Sequence, residues 1–334
     1  MIENSNPVGI VGIGSYAPEK ILTNAELEKM VDTTDEWITS RTGIKERRII
    51  AEGLASSSMG VSAAERALAD AGVSPQEVEM IICCTATPDM LFPATACIIQ
   101  KHLQATNAAA FDLEAGCSGF LYGVFTGSQM IKSGAYKTVL VVGADTLSRF
   151  TNWQDRSTCV LFGDGAGAVV LQKIKQGKGI RSFCLGADGS GDELLTLPAG
   201  GSLKPASLET VSRGEHFLQM DGNKVFEFAV KVMEKATLAA LELAGVSPQE
   251  VDYFIPHQAN IRIIKGAARR LNLPMDKVYV NVDKYGNTSC ASIPLAIDEA
   301  VKLGKIKAGD ILLLVAFGAG LTWASAVIEW GRGK

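Results

Sequence analysis

Three residues far apart in the chain carry side chains suited to acyl chemistry: Cys117, His257 and Asn287. Cys117 lies in Glu114-Ala115-Gly116-Cys117-Ser118-Gly119-Phe120, where flanking glycines permit a sharp strand-to-helix turn. A thiol at a helix start is expected to be a stabilised thiolate, the reactive form of cysteine. The other six cysteines (83, 84, 97, 159, 184 and 290) lack that setting. His257 is one of three histidines and stands between an apolar strand-like run and a helical one. Asn287 lies in Tyr285-Gly286-Asn287-Thr288-Ser289.

What places these residues together is a repeat. The string AGVSPQEV occurs at residues 71–78 and again at 244–251, an offset of 173. Each copy follows a helical stretch (63–71 and 238–244) and precedes an apolar run (80–85 and Tyr253–Pro256). Glycine after a helix and Ser-Pro beyond it are stop and restart signals. A second match, Ile131-Lys132-Ser133-Gly134 with Val301-Lys302-Leu303-Gly304, has an offset of 170. The chain therefore reads as two pseudo-symmetric α/β halves, 1–175 and 176–334, with buried, largely parallel sheets covered by helices. An offset of 170 carries Cys117 onto Asn287, so both are expected to open a helical segment. An offset of 173 carries Cys84 onto His257 and puts the histidine at a strand end. Ligands of open α/β sheets collect beyond the carboxyl ends of strands, so doubling would join the three residues in one cleft.

Composition bounds the alternatives. The chain has 334 residues, 47% apolar and 20% charged, enough for a large core and unlike a disordered chain. Its net charge of −4 offers no general attraction for nucleic acid. The MIENSNP start lacks a secretory pattern, and an odd cysteine count fits free thiols in a reducing cytoplasm. The uncharged stretch 311–328 is interrupted by Gly318-Ala319-Gly320 and is expected to be two buried strands, not a membrane span. Gly12-Ile13-Gly14-Ser15-Tyr16-Ala17 imitates a dinucleotide fingerprint but leads into no helix; the better helix start is Thr23. No cysteine–histidine spacing reads as a metal site. Residues 186–207, with DGSGDE and PAGGS, are expected to be an irregular surface segment.

The local strings narrow the reading. AGCSGF around Cys117, PHQANIRI around His257, GNTS at Asn287, TTDEWITSRTGI at 33–44 and FGDGAGA at 162–168 resemble the β-ketoacyl-acyl carrier protein synthase III family of the thiolase superfamily. The resemblance runs from Gly9 to the C-terminus and implies a thiolase-like fold. It also implies a reaction: an acyl group passes from acyl-coenzyme A to Cys117, malonyl-acyl carrier protein loses carbon dioxide, and the carbanion attacks the acyl thioester. His257 and Asn287 would donate N–H groups to the malonyl thioester oxygen. The backbone N–H groups of Cys117 and Ala319 would form a second oxyanion hole; Ala319 stands where the family often has glycine.

By the same resemblance, Trp37, Arg41, Arg156 and Asn260 would hold coenzyme A. Phe92 would cross a homodimer interface to line the partner's acyl pocket. No cofactor, metal, nucleic acid or membrane is called for. The segment after His257 has Ile261, Ile264, Ala268 and Leu271 on one face and Arg262, Lys265, Arg269 and Arg270 elsewhere, a basic patch suited to an acidic carrier protein. Glu227 departs from a family lysine implicated in docking and limits that patch. The primer is expected to be acetyl, with branched or longer chains open. Alternatives are a condensing enzyme that takes malonyl-coenzyme A directly, and a catalytically inert binding protein on the same fold.

Overall fold

In the computed structural model, residues 7–175, 177 and 179–331 are described. The start of the chain before Pro7 and the junction at Gln176 lie outside them.

Two sheets form the framework. The first has five strands in the spatial order Val8–Tyr16, Asp164–Lys173, Val139–Thr146, Met80–Cys84, Ala109–Leu113. The second runs Ile180–Ala187, Thr322–Glu329, Ile311–Gly318, Tyr253–Pro256. The order is the same, and the fifth strand of the second sheet shrinks to one parallel bridge between Phe254 and Val278. The sheets are mixed, not largely parallel. Met80–Cys84 pairs in parallel with both neighbours, as does Tyr253–Pro256 with Ile311–Gly318, while the other ladders are antiparallel. The cause is local: Ile311–Gly318 and Thr322–Glu329 are joined by a short turn, which reverses the chain, and only a long crossover gives a parallel pair. The uncharged stretch is thus two core strands.

Helices fill three layers around the sheets. Gly119–Lys132 and Ser292–Lys302 lie between them; Phe120, Val124, Ile293 and Ile297 meet Ile82 and Val141 of one sheet and Leu312 and Leu314 of the other. Ser56–Ala71 and Thr95–Leu103 cover the outer face of the first sheet, against Ile81 and Val142. Gly222–Ala244 and Ile261–Arg270 cover the second, against Leu313 and Val315. Consecutive strand residues point to opposite faces, so strands clad on both sides must be apolar throughout. Met80–Cys84 is buried at every position.

The repeated octapeptide folds identically twice. Gly72 and Gly245 end their helices in the left-handed conformation, at φ 65° and 61°. Ser74 and Ser247 then start short 3-10 turns, and each donates its backbone N–H to the carboxylate three residues on, Glu77 or Glu250, at 2.8 Å. The dinucleotide-like glycines lie inside the strand Val8–Tyr16, where a Cβ on Gly12 or Gly14 would strike the backbone of Ala67. They serve helix–sheet packing. Thr23 caps the helix Asn24–Leu27 as expected.

Candidate active site

Cys117 occupies a 3-10 turn, Gly116–Ser118, that leads directly into the helix Gly119–Lys132. Gly116 has φ +52°, and a Cβ there would fall 2.6 Å from the backbone nitrogen of Ala319. A Cβ on Gly318 would strike the backbone nitrogen of Cys117. Two turns from opposite halves are therefore pressed backbone to backbone, and glycine at 116 and 318 is what allows it. This contact brings the backbone of residues 318–319 alongside the Cys117 amide.

His257 follows the strand Tyr253–Pro256 and is buried. Its backbone N–H donates to the Val315 carbonyl at 2.7 Å, extending the sheet ladder by one residue. The ring meets Phe317 edge-on, centroids 5.4 Å apart. Burial holds the imidazole far below its ordinary value, down to about 3, so the ring is neutral at any physiological pH.

Asn287 is fixed at three points. Its N–H donates to the Leu161 carbonyl at 2.9 Å, and its own carbonyl accepts from the Gly163 N–H at 3.0 Å. Its side-chain Oδ1 accepts from the Ser289 N–H at 2.9 Å, so the Nδ2 hydrogens are the part of the amide left to donate. Asn287 does not open a helical segment in the way Cys117 does. The helices Gly119–Lys132 and Ser292–Lys302 correspond at an offset of 173, which matches Cys117 with Cys290 and Asn287 with Glu114. The offset of 170 fails because three residues are lost after Ser292, between helix start and helix end.

All three side chains line one chamber, with Leu161, Phe162, Leu195, Met220, Val225, Phe226 and Phe317 as its apolar wall and Asn260 at one side. Cys117, Phe162 and Leu195 also line a second chamber, of about 170 Å³, whose far wall is Leu147, Phe150, Leu197 and Leu218. The cysteine thus stands where two chambers meet. Residues 186–207 are more than a surface cover: Leu195 and Leu197 are wall residues, held by the pairing of Leu195–Thr196 with Gln219–Met220.

The electrostatics of Cys117 run opposite to expectation. Burial pushes its thiol up, to about 12, and the hydroxyl of Ser289 only partly draws it back. Desolvation of the thiolate, with the Asp145 and Glu114 carboxylates adding to it, outweighs the hydrogen bonds that draw the thiol down. The resting group is therefore a neutral thiol.

The remaining candidates fall in three places. Trp37 and Arg41 share the helix Asp35–Thr42, and the guanidinium groups of Arg41 and Arg156 both stack on the Trp37 ring, at 4.6 and 4.9 Å. Asn260 caps the helix Ile261–Arg270 through its side chain, which accepts from the Arg262 N–H. Arg262, Lys265, Arg269 and Arg270 are all exposed on that helix, but Arg270 is paired with Glu234 at 2.5 Å. The buried face is centred on Ile263, Ile264, Ala267 and Ala268, so Ile261 sits at its edge instead of within it. Phe92 is 83% exposed and lines neither chamber; in this single chain it is not a core residue. Sequence reasoning passed over Ser289, Ser292 and Phe317, which touch the catalytic candidates only through tertiary contact. Among the described residues no group of three or more His, Cys, Asp or Glu side chains could hold a metal ion, and no helix is long and apolar enough to cross a membrane.

Comparison with known proteins identifies the family. Residues 111–189 match the family described as 3-oxoacyl-[acyl-carrier-protein (ACP)] synthase III, and residues 241–330 match its C-terminal family. A β-ketoacyl-[acyl-carrier-protein] synthase III of Caldanaerobacter subterraneus subsp. tengcongensis is 59% identical, over 97% of this chain and 98% of that protein. One from Clostridioides difficile is 52% identical, over 96% and 98%. The crystal structure of 3-oxoacyl-[acyl-carrier-protein] synthase III from Aquifex aeolicus VF5 superposes with a TM-score of 0.88 at 48% identity, covering 97% of this chain and all of that one. With its doubled, layered α/β architecture, the chain belongs to the 3-oxoacyl-[acyl-carrier-protein] synthase III family, acyl-transferring condensing enzymes of the thiolase-like fold.

Proposed function

We propose that the protein condenses an acyl-coenzyme A primer with malonyl-acyl carrier protein in the cytoplasm, releasing coenzyme A and carbon dioxide and starting fatty acid synthesis. The observation that carries this reading is the apolar chamber shared by a thiol, a neutral imidazole and a carboxamide whose oxygen is already occupied.

In the first step Cys117 sulfur attacks the primer thioester. The C–S bond to coenzyme A breaks, and the thiol proton leaves with the departing coenzyme A sulfur. Because the resting thiol is neutral, attack and proton loss belong to one event at the sulfur. The backbone N–H groups of Cys117 and Ala319 stabilise the oxyanion that forms. In the second step the malonyl carboxylate departs as carbon dioxide. The electron pair left behind is delocalised onto the thioester oxygen, which receives hydrogen bonds from His257 and Asn287. A neutral imidazole donates without competing for the carboxylate as a cation would. The carbanion then attacks the acyl carbonyl, a C–C bond forms, and Cys117 leaves and regains a proton. Nothing in these steps calls for a metal or organic cofactor.

The stacked Trp37, Arg41 and Arg156 supply aromatic and cationic surface for the nucleotide of coenzyme A. Asn260 at the side of the first chamber supports its contact with the pantetheine arm, and the apolar wall of the second chamber supports its taking the acyl chain. Arg262, Lys265 and Arg269 present the positive face for the carrier, with Arg270 partly neutralised. Met90, Leu91 and Phe92 form an exposed apolar tip, 50, 76 and 83% accessible, which supports a homodimer covering it.

The test is a panel of acetyl-, isobutyryl- and octanoyl-coenzyme A against malonyl-carrier protein and malonyl-coenzyme A, with products read by mass spectrometry. β-Ketoacyl-carrier product is expected, with malonyl-coenzyme A a poor substitute. Equal rates with both malonyl donors would refute the carrier-dependent reading.

A further inference from the structure

His257 has a partner that the proposed chemistry has not yet used. Its Nδ1 lies 2.6 Å from the hydroxyl oxygen of Ser292, the first residue of the helix Ser292–Lys302. Both residues are buried, 1% and 2% exposed. Among the described residues that hydroxyl makes no other hydrogen bond.

Which atom donates follows from counting protons. The imidazole is neutral, so one ring nitrogen carries hydrogen and the other accepts. Were the proton on Nδ1, Ser292 would have to accept, and its own O–H would be a buried donor with no acceptor. Were it on Nε2, Ser292 would donate to Nδ1 and every proton at the contact would be used. A buried donor without an acceptor loses the hydrogen bond it had in water and gains none, which sets the choice. Nε2 is the nitrogen left to face the chamber that His257 lines.

The symmetry of the fold shows that this contact is an addition. At an offset of 173, His257 corresponds to Cys84 and Ser292 to Gly119. In the first half those positions only pack: a Cβ on Gly119 would lie 3.6 Å from the Cys84 Cβ. The second half fills the same gap between strand end and helix start with a hydrogen-bonded pair.

We propose that Ser292 is a positioning residue for the condensation: its hydroxyl donates to His257 Nδ1 and so holds the imidazole with its proton on Nε2, aimed at the malonyl thioester oxygen. The inference rests on the reading of His257 as a donor in decarboxylation, and the experiment separates the two. The enzyme labelled with ¹⁵N-histidine gives three imidazole spin systems, and His257→Ala identifies the one that matters. The wild type is expected to show a pyrrole-type Nε2 and a pyridine-type Nδ1 for His257. Ser292→Ala is expected to give a mixture of tautomers and to lower the turnover of malonyl-carrier decarboxylation about 10- to 100-fold, by analogy with the partners that orient metal-bound histidines. Acylation of Cys117 by acyl-coenzyme A should be unchanged, and Ser292→Thr, which keeps the hydroxyl, should restore both tautomer and turnover. A wild-type His257 protonated on Nδ1 overturns the proposal even if Ser292→Ala fails to fold. So does a Ser292→Ala enzyme with unaltered tautomer and decarboxylation. A His257→Ala enzyme that still decarboxylates would instead refute the role of His257 itself, independently of the spectrum.

Discussion

Gly116-Cys117-Ser118 and Ser289-Cys290-Ala291 are the same turn made twice. Both are single 3-10 turns leading into a central helix, and both have a left-handed residue just before the cysteine, Gly116 at φ 52° and Ser289 at φ 50°. They face each other across the pseudo-symmetry axis. The Cys290 thiol donates to the Gly116 carbonyl at 3.0 Å, and the Cys290 N–H donates to the buried Asp145 carboxylate at 3.1 Å. Yet one sulfur opens onto two chambers and the other is sealed, 1% exposed. Backbone geometry alone does not make a nucleophile; access to a substrate-sized space does. The second turn has been given over to support. Its left-handed serine directs a hydroxyl at Cys117 and a backbone N–H at Asn287, at the strain cost of a side chain in that region.

The largest effect expected from this contrast is between the two thiols. Cys117→Ala should lower condensation about 10⁴-fold or more, as removal of a covalent nucleophile does, whereas Cys290→Ala should leave turnover near wild type and cost about 1–2 kcal/mol of stability. Parallel steady-state kinetics and urea melts check both. Loss of turnover in Cys290→Ala with an intact fold would mean that the sealed turn has a chemical part.

Asn287→Ala comes next. Removing one oxyanion donor should slow decarboxylation by about 10²–10³-fold. Acylation of Cys117, followed by intact-protein mass, should remain measurable. Full decarboxylation in this variant would remove Asn287 from its assigned role.

The smallest and sharpest test is the pH dependence of Cys117 alkylation by iodoacetamide, mapped by peptide so that the exposed Cys97 is scored apart. A thiol pushed up to about 12 is a minor thiolate across the accessible range. The rate should therefore climb about tenfold per pH unit from 7 to 10 with no plateau, since the thiolate is the reacting form. A plateau below pH 8 would show a thiolate stabilised at rest, as the turn alone would predict. Cys290 should stay unlabelled in the folded enzyme throughout.

How much of this was legible beforehand follows from what each signal depends on. AGVSPQEV could be read because its structure is local: a glycine cap, then a serine–glutamate box, each decided within eight residues. The burial of 311–328 as strands was legible from its lack of charge and its glycine interruption. Strand direction was not, because a parallel pair and a hairpin have the same apolar composition. The site triad could be located by offset, but Asn287 was matched to the wrong partner. The three-residue loss shows in the change of offset from 173 to 170, but scattered identities do not place it after Ser292. Ser292 and Ser289 looked like ordinary residues of a helix start, since what they touch lies across the fold.

The sequence by itself determined that the chain is doubled, that its strands are clad on both faces, and that a cysteine, a histidine and an asparagine stand at element boundaries. Those follow from residue type and spacing, which act over a few neighbours. Only the tertiary structure decided which of two equivalent cysteines opens onto the chambers, that burial pushes its thiol up, and which serine lies against the histidine. Access, desolvation and hydrogen-bond pairing are properties of space between distant segments, and no local pattern encodes them.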